Sequence, residues 1–188
     1  MNDEHFKICS SADWAEYVEN DLLPWALGSS DLGEAVLEIG PGPGLTTDVL
    51  LKRVAHLTTV EIDPRLAAAL AERLSGSHVT VVTADATSLP FEEGQYSSVV
   101  TFTMLHHVPS RELQNRLFAE VARVLRGGGL FTGTDSKETT SRWMLHQGDV
   151  YTPVDPSSLA PRLDAAGFTD VVVEENADRF RFLARRPN

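Results

Sequence analysis

The sequence is poor in cysteine and in basic residues. Its single cysteine, Cys9, excludes an internal disulfide and any zinc site built from cysteine ligands. Only 16 Lys and Arg residues stand against 27 Asp and Glu residues, which gives a formal net charge of −11. Because proteins bind nucleic acids and anionic membranes largely through Lys and Arg, this charge argues against both as partners.

Long apolar runs and internal repeats are also missing. No stretch approaches the roughly 20 apolar residues that cross a bilayer, and the chain does not open on a basic segment followed by an apolar one. A length of 188 residues is typical of one domain, and 42% hydrophobic residues suffice for a core. We therefore expect residues 1–188 to form a single cytoplasmic domain.

The most informative stretch is residues 35–53. Residues 35–39 are a short aliphatic run that predicts a buried strand, and residues 46–53 predict a helix. Between them lies G-x-G-x-G, a turn in which glycine permits positive φ and lets a ligand approach the backbone. A diphosphate is typically bound by G-x-G-x-x-G, whereas Glu38, two residues before the first glycine, favours a ligand with a cationic end.

Carboxylates stand at the ends of the next two predicted strands. Glu61 ends the strand at residues 56–61. Its spacing in sequence from the glycine turn is close to that at which a carboxylate binds two ribose hydroxyls. An ordinary charge at a strand end is the alternative for Glu61, and Asp63 is expected to cap the helix that follows. Asp85 ends the strand at residues 78–84, where it is either a ligand residue or a plain turn residue.

Two adjacent histidines follow the fourth predicted strand. His106 and His107 are candidate general bases because imidazole titrates near neutral pH, and at most one of them is expected to face a substrate. The alternative is that both are structural or solvated. No ligand spacing supports a zinc site that combines this pair with His146, so the sequence predicts no metal.

The remaining pattern predicts helices and a terminal hairpin. Ser110 is expected to cap a helix that ends at Gly127, and residues 169–175 and 179–185 alternate as two strands joined by a short turn. Strands and helices that alternate before a hairpin predict a doubly wound, mostly parallel α/β sheet with one antiparallel strand.

The pattern E-x-G-x-G-x-G at residues 38–44 resembles motif I of the class I S-adenosylmethionine-dependent methyltransferases. The resemblance covers residues 35–186 and extends to Glu61, to Asp85, to the Leu-His-His loop and to the terminal hairpin. The chain is similar to the small bacterial enzymes of the methyltransferase domain 11 or 25 kind. It departs from their pattern at the start of the fourth predicted strand, where they usually carry an Asp and this chain has Ser97 or Ser98.

The resemblance implies a fold, a cofactor and a set of site residues. It implies a seven-stranded Rossmann-like sheet and S-adenosylmethionine as cofactor, with S-adenosylhomocysteine as product. The methionine part would lie near the glycine turn with Glu38 toward its amino group, the ribose on Glu61, and the adenine beside residues 62, 85 and 86. The implied cofactor residues are Glu38, Gly40, Pro41, Gly42, Gly44, Glu61, Ile62, Asp85, Ala86 and Thr103.

Two segments of weaker pattern are expected to border the substrate. Residues 1–30 would form an N-terminal helical cap, with one helix over residues 11–27, and residues 135–155 a substrate loop. Trp14 and Tyr17 either pack this helix on the sheet or face the substrate, and Trp143 and His146 are the candidates in the loop. The acceptor is expected to be a small molecule, and the oligomeric state is left open.

Other functions remain open at this point. A binding module of the same fold would hold S-adenosylmethionine without catalysis. A nicotinamide oxidoreductase is disfavoured by the glycine spacing and by Glu38, and an aminopropyl transferase by two histidines where acids would hold a polyamine.

Overall fold

Seven strands form one sheet in the computed structural model, which describes residues 2–188. In chain order they are β1 (Ala35–Ile39), β2 (His56–Glu61), β3 (Val79–Thr83), β4 (Tyr96–Phe102), β5 (Leu125–Ser136), β6 (Thr169–Glu175) and β7 (Arg179–Arg185). Their spatial order is β3-β2-β1-β4-β5-β7-β6, and β7 runs antiparallel to both of its neighbours. The predicted seven-stranded, mostly parallel sheet with one antiparallel strand in a C-terminal hairpin is confirmed.

Helices connect the strands and cover the sheet. They are α1 (Asp3–Cys9), α2 (Ala12–Tyr17), α3 (Leu23–Leu27), α4 (Leu45–Leu50), α5 (Pro64–Arg73), α6 (Arg111–Val124), α7 (Thr140–Leu145) and α8 (Pro156–Ala165). The side chains of Asp63 and Ser110 accept backbone N–H groups at the starts of α5 and α6, which confirms the predicted caps, and Ser11 caps α2 in the same way. None of the helices in the described chain has the length and apolar character that a bilayer span needs.

Both faces of the sheet are buried at its central strands. Along β4, Val99 packs into a cluster with α6 and α8, while Val100 packs into a second cluster with the N-terminal helices and α4. Leu37 and Val36 of β1 divide between the same two clusters. Neighbouring residues of a strand point to opposite faces, so apolar runs such as these indicate a doubly covered sheet.

The helix predicted over residues 11–27 is interrupted. Residues Val18–Leu22 form a π-helical turn between α2 and α3, and the backbone N–H of Leu23 donates to the carbonyl of Val18. Pro24 has no N–H to donate and therefore cannot continue the α-helical hydrogen-bond ladder. The predicted apolar face is retained, because Val18 and Leu22 are buried.

The prediction that Gly127 ends a helix is wrong. Helix α6 ends at Val124, and the three consecutive glycines at residues 127–129 lie within β5. The chain packs closely here: the backbone N–H of Gly128 donates to Arg186, and a Cβ on Gly127 would lie 3.2 Å from Asn188 Cα. The glycines therefore serve strand packing against the C-terminal segment rather than a helix end.

The segment expected to be irregular, residues 135–155, contains regular structure at its start. Strand β5 continues to Ser136, and α7 follows after a short connection, with Thr139 as its cap. Residues 146–155 then lead without a further strand to α8. This segment packs on the histidine loop, since the backbone N–H of Thr152 donates to the carbonyl of His106.

Candidate active site

A cavity of about 380 Å³ opens where β1, β2 and β4 end. These strands are parallel neighbours, so their carboxyl ends meet at one edge of the sheet, which is where open α/β sheets bind ligands. The predicted site residues on its wall are Trp14, Gly40, Pro41, Gly42, Glu61, Ile62, Asp85, Ala86, Thr103 and His107. The predicted residues that the structure does not bring to this wall are Tyr17, Glu38, Gly44, His106, Trp143 and His146.

The glycine turn between β1 and α4 is held in left-handed conformations. Gly40, Gly42 and Gly44 have φ of +69°, +54° and +89°. A Cβ on Gly40 would overlap the side chain of Met104, which lies on the same cavity wall. Side chains are therefore disfavoured at these glycine positions, which lets the main chain of the turn approach a ligand closely.

Glu38 lies beneath the turn rather than on the cavity wall. Its carboxylate is 1% exposed and accepts hydrogen bonds from the hydroxyls of Thr46 and Thr47, the latter at 2.6 Å. Burial raises the pKa of Glu38 to about 7 even though these hydroxyls act in the opposite direction. In this structure Glu38 fastens the start of α4 to β1 and thereby supports the turn from below.

Glu61 is fixed at the end of β2 by backbone donors. One carboxylate oxygen accepts from the N–H of Gly42 at 3.1 Å, and the other from the N–H of Asp63 at 3.0 Å. The side chain is 6% exposed and lies on the cavity wall. Because each carboxylate oxygen has a second lone pair, Glu61 retains acceptor capacity toward the cavity.

The residues expected beside an adenine form one rim of the cavity. Ile62 is 65% exposed although it is large and apolar. Asp85 accepts from the backbone N–H of Thr87 at 2.8 Å, which orders the turn after β3, and Ala86 lies between them on the wall. An exposed aliphatic side chain can pack against a flat ring, and a carboxylate on the same wall can accept a hydrogen bond from an amino group on that ring.

Thr103 is strained at the exit of β4. It has a φ of +53°, a left-handed conformation in which a β-branched residue is rarely found. Its N–H donates to Thr134 at 2.8 Å, which holds the backbone in place, and the residue lies on the cavity wall. Strain of this kind, retained beside a cavity, is typical of functional sites.

The two adjacent histidines occupy different environments. His106 is buried, and its Nδ1 lies 2.6 Å from a carboxylate oxygen of Asp135, whose other oxygen accepts the His106 backbone N–H. Burial acts to raise the pKa of Asp135, but the charge of His106 and these hydrogen bonds hold it below its usual value. His107 instead lies on the cavity wall, and its Nδ1 is 3.2 Å from the carbonyl of Val150.

Two further histidines complete a cluster with this pair. The ring of His5 from α1 lies 5.1 Å from that of His107 and 4.5 Å from that of His146, measured between centroids. His106 lies 4.3 Å from His107 and 4.9 Å from His146, and Tyr151 stacks on His146 at 4.3 Å. We call His5, His106, His107 and His146 the histidine cluster.

Burial favours the uncharged form of three of these histidines, His5, His107 and His146. It lowers the pKa of His107 to about 3 and that of His5 to about 4, and the neighbouring histidines act in the same direction. The pKa of His146 is also lowered by burial. A base with a pKa far below the working pH accepts a proton poorly, so His107 is a weak general base in this environment.

The predicted substrate-side aromatics divide between three places. Trp14 reaches the cavity wall, while Tyr17 packs beside it, and both rings lie 5.5 Å from the guanidinium of Arg179. Trp143 is 53% exposed on α7. His146 belongs to the histidine cluster, behind the wall.

Three contributors to the site were missed in the sequence. His5 stands before the first recognisable helix pattern, Asp135 lies within an apolar strand, and Asp149 follows an irregular segment. Asp149 lies on the cavity wall, with a carboxylate oxygen 3.8 Å from Nδ1 of His5. The one sequence signal that could have located a partner for the histidines was Asp135, an acid near the end of β5, the strand beside β4.

The charged groups on the described cavity wall all carry one sign. Glu61, Asp63, Asp85 and Asp149 contribute four carboxylates, and neither Lys nor Arg contributes to this wall. An anionic diphosphate would meet no counter-charge there, whereas a ligand with cationic groups is favoured.

A family model described as a methyltransferase domain matches residues 37–132, which is half of the chain. The match begins in β1 and ends in β5, so it includes the glycine turn, Glu61, Asp85 and the His-His loop. The chain belongs to this family, the class I S-adenosylmethionine-dependent methyltransferases. Their cofactor is S-adenosylmethionine, which this cavity suits through its glycine-rich turn and the absence of Lys and Arg from its described wall.

Curated relatives match parts of the chain. A probable ribosomal RNA small subunit methyltransferase A of Methanothermobacter thermautotrophicus is 35% identical over 103 residues, which are 46% of this chain and 38% of that protein. An uncharacterized methyltransferase of Mycobacterium sp. (strain KMS) is 35% identical over 111 residues, 58% of this chain and 42% of that protein. The chain thus spans less than half the length of these relatives.

Solved structures share the fold at low sequence identity. The Haemonchus contortus phosphoethanolamine N-methyltransferase 2, solved with phosphomonomethylethanolamine and S-adenosylhomocysteine, has a TM-score of 0.75 and 15% identity, covering 100% of this chain and 61% of that one. A structure of the Haloferax volcanii Trm112 methyltransferase activator with the putative methyltransferase matches with a TM-score of 0.73 and 14% identity. The match covers 93% of this chain and 88% of that one.

Proposed function

We propose that this protein transfers the methyl group of S-adenosylmethionine to a small-molecule acceptor by in-line displacement. The observation that carries the proposal is the cavity wall, which combines a glycine turn in left-handed conformations with four carboxylates and no basic residue. The cofactor supplies the reactive methyl group on a sulfonium, so the chain must bind, orient and exclude water.

The proposed roles follow the order of residues along the wall. The backbone of Gly40, Pro41 and Gly42 would hold the methionine part, with Gly44 and Glu38 supporting the turn. The carboxylate of Glu61 would accept the two ribose hydroxyls, and its orientation by two backbone N–H groups prepares it for this. The adenine would lie between Ile62, Ala86 and Asp85, and the strained backbone at Thr103 would face the methyl group.

Placement is expected to contribute more than proton transfer. Correct orientation of two reactants contributes up to about 7 to 11 kcal/mol in the best cases, whereas a general base adds about 10² to 10⁴ in rate. His107 lies on the wall, but its low pKa makes it a poor base. His106 is not on the wall, so its proposed contribution is to position its neighbour.

A small acceptor is supported by charge. The chain carries a formal net charge of −11, and the described cavity wall lacks the Lys and Arg that neutralise phosphates. Several matching relatives are named as ribosomal RNA small subunit methyltransferase A, which makes RNA the second candidate acceptor. Methyl incorporation from labelled cofactor into total RNA, compared with incorporation into a metabolite extract, separates the two.

Thermal unfolding with different cofactors tests the proposal. S-adenosylhomocysteine at 100 times its dissociation constant should stabilise the folded state by about 2.7 kcal/mol, a midpoint shift of several degrees. NAD and decarboxylated S-adenosylmethionine should give smaller shifts. The shift should vanish in Glu61→Ala and persist in Glu34→Ala, a matched loss of an exposed carboxylate.

The same experiment can overturn the proposal. A larger shift with NAD would indicate an oxidoreductase, and the absence of any shift with S-adenosylhomocysteine would leave only the fold. Binding of S-adenosylhomocysteine without methyl incorporation into either RNA or metabolites would favour a binding module.

A further inference from the structure

Unpaired nitrogen atoms converge in the histidine cluster. Nδ1 of His5 and Nε2 of His106, His107 and His146 have no hydrogen-bond partner in the described chain, although all of these atoms are buried. An unpaired buried polar atom destabilises the folded state, because it has lost its hydrogen bonds to water. Four of them in one cluster would be costly unless another group binds there.

Hydrogen bonds at the second ring nitrogen orient two of these histidines. Nδ1 of His107 lies 3.2 Å from the carbonyl of Val150, and Nδ1 of His146 lies 2.6 Å from that of Arg142. Each carbonyl accepts the Nδ1 proton, which leaves the Nε2 lone pair available. Metal-ligating histidines in proteins are held in the same way, with the second ring nitrogen on a carbonyl or carboxylate.

The nitrogens are also close enough to share one ion. His5, His107 and His146 each offer a ring nitrogen, and these atoms lie within 4.8 Å of one another. Bonds of about 2.0 to 2.1 Å from nitrogen to zinc place two ligand atoms at most about 4.2 Å apart. Side-chain rotations that move each ring by less than about 1 Å would bring the three nitrogen atoms to the spacing of metal ligands.

We propose that His5, His107 and His146 bind one divalent transition-metal ion at the wall of the cofactor cavity. Three imidazoles suit zinc, and also iron, nickel and copper, whereas calcium and magnesium prefer oxygen. His106, held by Asp135, packs against two of the ligands and would position them.

The position of the site suggests what the ion does. His5 and His107 lie on the same wall as the glycine turn and Thr103, so a fourth coordination position would open into the cavity. A catalytic ion with three protein ligands keeps such a position for water or substrate. Resting on the proposed function, this assigns the acceptor to molecules with a hydroxyl, phenol or thiol that coordinates a metal, since coordination lowers the pKa of that group.

Metal analysis of the full chain, purified without a polyhistidine tag, tests the site. After equilibrium dialysis against zinc we expect one ion per chain, and cobalt(II) should give the ligand-field spectrum of a site with nitrogen ligands. His5→Phe and His146→Phe keep ring volume but lose the ligand, and each should weaken binding at least tenfold. His56→Phe, which changes an exposed histidine on β2, should leave binding unchanged.

Further measurements keep the proposal refutable if a variant fails to fold. X-ray absorption of the zinc-loaded wild type should show histidine nitrogens as ligands, and thiophenol should alter the cobalt spectrum if the open position faces the cavity. Substoichiometric zinc, or equal affinity in all three variants, would overturn the site. An unchanged cobalt spectrum with thiophenol would overturn the assigned acceptor class.

The metal site and the proposed function fail separately. Binding of S-adenosylhomocysteine to metal-free protein, measured in the same samples, reports on the cofactor cavity alone. Cofactor binding without zinc binding would remove the metal site and keep the methyltransferase, and zinc binding without cofactor binding would do the reverse.

Discussion

The substitution Glu38→Gln should change how stability depends on pH. Glu38 is buried beneath the glycine turn, and burial raises its pKa from 4.5 to about 7. One pKa unit corresponds to about 1.4 kcal/mol, so the shift is worth about 3 kcal/mol in the free energy of unfolding. Glutamine keeps the shape of the side chain and removes the titration.

The sign follows from where the proton is held more tightly. Because folding raises the pKa of Glu38, the folded state binds the proton better, and the stability this gives is fully present below about pH 4.5. It is lost as the pH rises through about 7, where the buried carboxylate ionises. The wild type should therefore lose about 3 kcal/mol relative to Glu38→Gln between pH 4.5 and pH 8.

Urea unfolding of both proteins at several pH values measures this difference. Other carboxylates titrate alike in both proteins and cancel. Glu34→Gln, an exposed change in the residue before β1, serves as the control and should follow the wild type at every pH. A difference between Glu38→Gln and wild type that stays constant from pH 4.5 to 8 would refute a raised pKa at Glu38.

Three further substitutions test the site. Gly40→Ala should cost about 1 to 3 kcal/mol more stability than Gly76→Ala by urea unfolding, because both glycines have positive φ but only at Gly40 would a Cβ meet a neighbouring side chain. Asp135→Ala should destabilise the fold by about 3 kcal/mol, since it leaves buried His106 without its partner, and equal unfolding midpoints would contradict this. Thr103→Gly should relieve about 1 kcal/mol of backbone strain, measured in the same assay, and a loss of stability would show that the threonine side chain matters more.

Regular elements with strong local patterns were predictable from the sequence. The strand before the glycine turn and both strands of the terminal hairpin were located to the residue, because alternating or continuous apolar runs and turn residues act over a few positions. The family resemblance assigned Glu61, Asp85 and Thr103 to one site. All three line the cavity, because the strand ends of a parallel sheet meet at one edge.

Elements that depend on contacts distant in sequence were predicted less well. The glycines at 127–129 depend on the C-terminal segment that packs beside them, which the local pattern does not show, so a helix-ending glycine was expected instead. The π-helical turn at residues 18–22 has a local cause in Pro24, but the apolar spacing alone predicted a continuous helix there.

The sequence by itself determined the sheet, the glycine turn and the acids at the strand ends, because periodicity, turn chemistry and motif spacing are properties of short segments. Only the tertiary structure decided that Glu38 supports the turn from below and that His5 meets His107 and His146. His5 and His107 are more than one hundred residues apart, on a short helix and a loop of weak pattern. Their meeting depends on how α1 packs against the loop after β4, and no local spacing encodes that.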